Sequence, residues 1–128
     1  MKKIKKKFLK PFLFVCLGLT LTTITFARMG GHAPGPPGRP EATNINRFGC
    51  TLTYLPPQQW GGAPIIQYFI ESRDWDKRWT LRGKTPFLEH YIDAWTSHEV
   101  EFRVLAANEF GISEPSKPCK PIEFTDPF

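Results

Sequence analysis

Residues 100–116 read VEFRVLAANEFGISEPS, and the fold turns on how this stretch is read. Its first half alternates with period two: Val100, Phe102, Val104 and Ala106 fall on one face, and Glu101, Arg103, Leu105 and Ala107 on the other. A helix would need its apolar residues three and four apart, and β-branched and aromatic side chains suit a pleated surface. The stretch is therefore a half-buried strand. Asn108 and Gly111 are residue types that tolerate positive φ, so the chain turns there, and Pro115 and Pro118 keep the next segment extended.

On either side of this strand the same pattern recurs at short intervals. Residues 41–46 form a weak edge strand, and 50–54 alternate Cys50, Leu52 and Tyr54 against Thr51 and Thr53 before Pro56-Pro57. In 65–73, Ile66, Tyr68 and Ile70 share one side, with Gln67, Phe69 and Glu71 on the other. A turn through Asp74 and Asp76 leads to a short strand, 78–82, carrying Trp79 and Leu81 and closed by Gly83. Residues 87–92, 99–107 and 121–125 complete the set. Seven short strands, 13 prolines and no amphipathic run long enough for a helix describe two antiparallel sheets packed face to face.

The chain has 128 residues, 41% of them apolar and 14% aromatic, which suits one domain of about 100 residues with a real core. The formal charge of +5 does not belong to that domain. Lys2, Lys3, Lys5, Lys6, Lys7 and Lys10 supply six of the 17 basic residues; the other 11 face all 12 acidic ones from Arg28 onward, a balance of −1. The domain thus has no basic footprint for nucleic acid.

Residues 1–27 read as a leader: a lysine-rich start, an apolar run through 12–21, and Thr25-Phe26-Ala27 at its end. They fit a secretory signal cut after Ala27. They also fit an uncleaved signal anchor, although Lys10 and Pro11 interrupt the apolar span. Membrane contact, on this reading, comes only through an uncleaved leader. Residues 28–37 are a Gly/Pro-rich linker with a solvated His32, and the domain runs over 38–128. Cys50 points inward as a buried thiol, while Cys119, beside two prolines, is expected to be free and exposed, with no bridge between the two.

Several motifs then stand in one order: GPPGRPE at 35–41, CTLTYLPP at 50–57, GGAPIIQYFIESRD at 61–74, RWTL at 78–81, EFRVLAANEFGISEPSKP at 101–118 and TDPF at 125–128. Across 34–128 the chain resembles a fibronectin type III domain of the kind found in the muscle proteins titin and twitchin. The resemblance implies an all-β, seven-stranded, immunoglobulin-like antiparallel β-sandwich. It also implies a non-catalytic module for protein–protein interaction or scaffolding, with protein partners or neighbouring domains. Three positions depart from the pattern, one of them Ala94, where the family has a leucine six residues before its corner position. Tyr54 stands where the family usually has a core tryptophan. Val100 stands where it has a corner tyrosine, whose hydroxyl supplies a hydrogen bond of about 1 kcal/mol, and Trp95 is the residue placed to fill the space.

No catalytic constellation is expected. His90, Asp93, Ser97, His98 and Glu99 are close in sequence, but His90 shares a strand face with apolar Leu88 and Ile92. The histidines match no metal-ligand spacing, no cofactor motif occurs, and Arg82-Gly83-Lys84 is a basic turn. The candidate protein-binding residues are Trp60, Phe69 and Leu105. Trp60 lies in the loop sequence QQWGGAP, where it is either an exposed anchor or folded over the sheet edge. Phe69 and Leu105 point away from the inward sets of two strands that are neighbours in this fold, so together they form an outer apolar patch. The leader points to secretion or to the extracellular face of a membrane, whereas the domain resemblance points to the cytoplasmic sarcomere.

Overall fold

The computed structural model describes residues 30–128, so the leader expected at 1–27 lies outside the described residues. His32–Phe128 is a compact unit. Seven strands follow one another: β1 Glu41–Asn46, β2 Gly49–Thr53, β3 Gln67–Arg73, β4 Thr80–Thr85, β5 Glu89–Asp93, β6 Glu101–Asn108 and β7 Gly111–Ile112. They build two antiparallel sheets, ordered β1-β2-β5 and β4-β3-β6-β7.

The alternation in the sequence becomes the alternation of burial. In β3, Tyr68, Ile70 and Ser72 are buried and their neighbours half-exposed; in β6, Phe102, Val104 and Ala106 are fully buried. These residues meet Cys50, Leu52 and Ile92 from the other sheet, with Val100 and Phe124 completing the core. Tyr54 closes the core beside Tyr68, ring centroids 5.2 Å apart, and its hydroxyl donates to the Phe87 carbonyl at 2.7 Å. Trp95 packs on the core edge-on to Phe102 and Phe124, and the Arg82 guanidinium lies 3.8 Å from its ring centroid.

The C-terminal segment departs from expectation. Residues 121–125 are not a strand; they contribute one bridge, Ile122 to Val100, and the seventh strand is Gly111–Ile112. Beyond it the chain runs along β6 as three triplets, Ser113-Glu114-Pro115, Ser116-Lys117-Pro118 and Cys119-Lys120-Pro121. Ser113, Ser116, Cys119 and Ile122 donate their N–H groups to the carbonyls of Ala106, Val104, Phe102 and Val100 at 2.8–3.0 Å. In return, the N–H groups of Ala106, Val104 and Phe102 donate to Ser113 Oγ (2.9 Å), Ser116 Oγ (3.0 Å) and Cys119 Sγ (3.3 Å). Each triplet sets three residues against two of β6, so one residue per step is extra, as in a repeated β-bulge. The third position bears no N–H that would need a partner, because it is proline. Cys119 is thereby buried rather than exposed. Both thiols are free, and burial pushes that of Cys50 up to about 11.

Three smaller differences lie at the ends or edges of the sheets. Gly83 does not close β4 but lies inside it, where a Cβ would press on the His90 imidazole. Ile66 precedes β3 and is exposed rather than inward. The Gly/Pro-rich stretch is bonded to the sandwich from His32 onward: His32, Gly35 and Gly38 donate to the carbonyls of Gly61, Gln59 and Leu55, and Pro34, Pro37 and Pro40 are buried. That period of three is the period of an extended proline-rich helix.

Removing one acceptor from the β6 edge tests the ladder. Ser116→Ala leaves the buried Val104 N–H without its partner and is expected to cost about 1–3 kcal/mol in urea unfolding. Lys117→Ala, one residue along and exposed, is expected to be nearly silent.

Candidate functional site

The outer face of the β4-β3-β6-β7 sheet follows from the same alternation that builds the core. The odd-numbered residues of β3 and β6 point outward, and the antiparallel register sets Arg73 opposite Glu101, Glu71 opposite Arg103, Phe69 opposite Leu105 and Gln67 opposite Ala107. Sequence reasoning places Phe69 and Leu105 on a shared outer face, and the structure makes them direct cross-strand partners. Lys84 of β4 flanks Phe69 on the far side, and Ile112 of β7 flanks Ala107.

Below the apolar pair the face is polar. Both β3 and β6 carry Glu-x-Arg, and running them antiparallel pairs each glutamate with an arginine. Arg73 Nε donates to Glu101 Oε1 at 2.8 Å, and Arg103 Nε to Glu71 Oε1 at 2.7 Å. The Trp79 indole, just before β4, holds both guanidiniums, which lie 4.6 and 4.2 Å from its ring centroid. Side-chain exposures of 23–35% keep these pairs in partial contact with water, so each ion pair contributes about 1 kcal/mol or less. The indole adds about 0.5–2 kcal/mol per cation and fixes where each guanidinium sits. Sequence reasoning misses this cluster, although the repeated Glu-x-Arg is a usable signal.

Trp60 stands apart, in the loop between β2 and β3 at one end of the sandwich. The residue is 59% exposed, so it is not folded over a sheet edge, and its carbonyl accepts from Asn108 Nδ2 at 2.7 Å. Gly61 follows at φ +81°, where an added Cβ would meet the carbonyls of His32 and Ala33.

Of the residues named as a conceivable catalytic set, Ser97, His98 and Glu99 line one open cleft, and His90 lies elsewhere, against β4. His90 packs on Gly83 within the sandwich, and His98 shares a hydrogen bond with Thr96 Oγ1 and faces Trp75, ring centroids 6.3 Å apart. Among the described residues no group of three His, Cys, Asp or Glu is placed to hold a metal ion. The open cleft beside His98, of about 380 Å³, is lined also by Asp74, Trp75, Lys77 and Glu123.

No family model matches the chain. Human slow-type myosin-binding protein C is 35% identical to it over 94 residues, which covers 69% of this chain and 8% of that protein. Human contactin-4 is 34% identical over 118 residues, covering 84% of this chain and 11% of that protein. Among solved structures, titin module A71 from human cardiac muscle is 36% identical with a TM-score of 0.64, covering 72% of this chain and 93% of that module. The chain therefore spans a small part of each curated relative and nearly all of a single titin module.

The clamp on the outer face can be opened at its centre. Trp79→Ala frees both guanidiniums and is expected to lower stability by about 1–2 kcal/mol in urea unfolding. In a double-mutant cycle with Arg103→Ala, the two losses should fall short of additive, because each removes the same contact.

Proposed function

The chain belongs to the fibronectin type III family, as its match along nearly the whole of a titin module shows, and we propose that it works by holding a protein partner on the outer β4-β3-β6-β7 face. Members of this family are non-catalytic interaction and scaffold modules. The observation that carries the assignment to this face is the Phe69–Leu105 pair. Two large apolar side chains sit directly opposite one another on an outward face, half-exposed, where water gains nothing from them. The clamped arginines and glutamates beside them form the polar rim that a specific contact needs.

The sarcomeric reading follows from the muscle proteins among the relatives, and it makes purified muscle myosin the first partner to test. The chain is expected to co-sediment with myosin filaments. Phe69→Ala combined with Leu105→Ala should weaken that binding about tenfold or more, since each truncated anchor costs about 1 kcal/mol, and should leave Tm nearly unchanged. Unchanged binding, or a collapse of Tm, would show instead that the pair is structural. A second reading, a secreted or membrane-anchored adhesion or ligand-binding protein, is supported by the composition of residues 1–27.

A further inference from the structure

The two ends of the sandwich differ in composition. β2 runs toward Thr53, β3 begins at Gln67 opposite Ala107, and Tyr68 pairs with Thr85, so segments 54–66, 86–88 and 108–111 all emerge at one end. The chain enters the fold at that same end. His32 N–H donates to the Gly61 carbonyl at 2.8 Å, and Asn108 Nδ2 donates to the carbonyls of His32 and Trp60. Segments 30–38, 54–66 and 86–88 contain no Asp, Glu, Lys or Arg, and 108–111 contains only Glu109. They nevertheless expose Leu55 (72%), Trp60 (59%), Ile66 (58%), Phe87 (69%) and Leu88 (41%). At the opposite end one loop alone carries Asp74, Asp76, Lys77 and Arg78 around its own exposed Trp75 (71%), so the ends differ in charge rather than in exposed apolar side chains. An end that is almost free of charge yet studded with large apolar side chains has the composition of a covered surface.

The chain that precedes this end indicates what covers it. Residues 8–27 are uncharged apart from Lys10, and Ala27 is five residues from His32, about 17 Å at full extension. A leader held in a bilayer would tether this end within reach of the headgroups. The lysines at 2–10 favour the cytoplasmic side, which sends the domain to the other leaflet. It is the cytoplasmic leaflet whose anionic lipids attract basic patches. An uncharged surface bearing a tryptophan suits the zwitterionic alternative, where indole rings settle between headgroups and acyl chains.

We propose that this end of the module lies against a zwitterionic lipid surface, with Leu55, Trp60 and Phe87 at the headgroup boundary. The proposal rests on the second reading above, with the leader retained as an anchor. The test reconstitutes the full chain into phosphatidylcholine vesicles, with and without bromine on the acyl chains, and uses alkaline washing to report whether the chain is anchored. In anchored chain, brominated lipid should quench tryptophan fluorescence. Trp60→Phe should remove most of that quenching, and Trp75→Phe, at the far end, should not. Equal quenching in the Trp60→Phe variant overturns the proposal. If the leader is cut or washes free, the anchor reading fails and the cut chain decides the matter. Flotation with phosphatidylcholine vesicles that Trp60→Glu abolishes sustains the lipid surface. No flotation, or a dimer that Trp60→Glu disperses, overturns it.

Discussion

β6 has one edge that no full strand covers, and closing that edge governs how the sandwich is built. β6 carries Phe102, Val104 and Ala106 into the core, and its other edge is paired with β3 along its whole length. β7 covers only its last two residues. The remaining N–H groups on that edge belong to buried residues, and a buried donor left without an acceptor costs about 1–3 kcal/mol. The Ser-x-Pro, Ser-x-Pro, Cys-x-Pro triplets resolve this by offering a carbonyl-seeking N–H and a side-chain acceptor at every step. The hydroxyls of Ser113 and Ser116 in turn donate to the next carbonyl along, so neither is left unmatched. The same prolines, lacking an N–H, make the finished edge a poor template for another strand.

What fixes the inside of β6 also fixes its outside. Because side chains alternate, holding Phe102 and Val104 in the core sets Glu101, Arg103 and Leu105 in one plane on the opposite face. β3 does the same with Glu71, Arg73 and Phe69, and the register between the two strands produces the crossed ion pairs and the apolar pair together. The candidate binding face is thus a consequence of core registry, and a slip of one residue would exchange core for face.

The sandwich, five of the seven strands near their expected limits, and the Phe69–Leu105 pair are legible in the sequence because alternation reports directly on which side is buried. The contacts that escape it are those whose partner lies far along the chain. Pro115 and Pro118 read only as keeping the chain extended. Nothing local shows that Ser113, Ser116 and Cys119 serve as acceptors for a strand, so sequence reasoning places Cys119 outside and makes a strand of 121–125. The Gly/Pro-rich stretch has the composition of a spacer, and only the carbonyls of 55–61 make His32, Gly35 and Gly38 a bonded ribbon. Trp79 reads as a strand residue in the sequence but lies just before β4, and its role depends on arginines supplied by β3 and β6.

Amide hydrogen exchange along β6 is the sharpest check on the closed edge. The N–H groups of Phe102, Val104 and Ala106 point to the triplets and bond to Cys119, Ser116 and Ser113. They should exchange as slowly as the amides of the β3–β6 ladder, with protection that is lost only on global unfolding. Rapid exchange at these three positions, while the β3–β6 ladder stays protected, would mean that the edge is open and that the triplets do not close it.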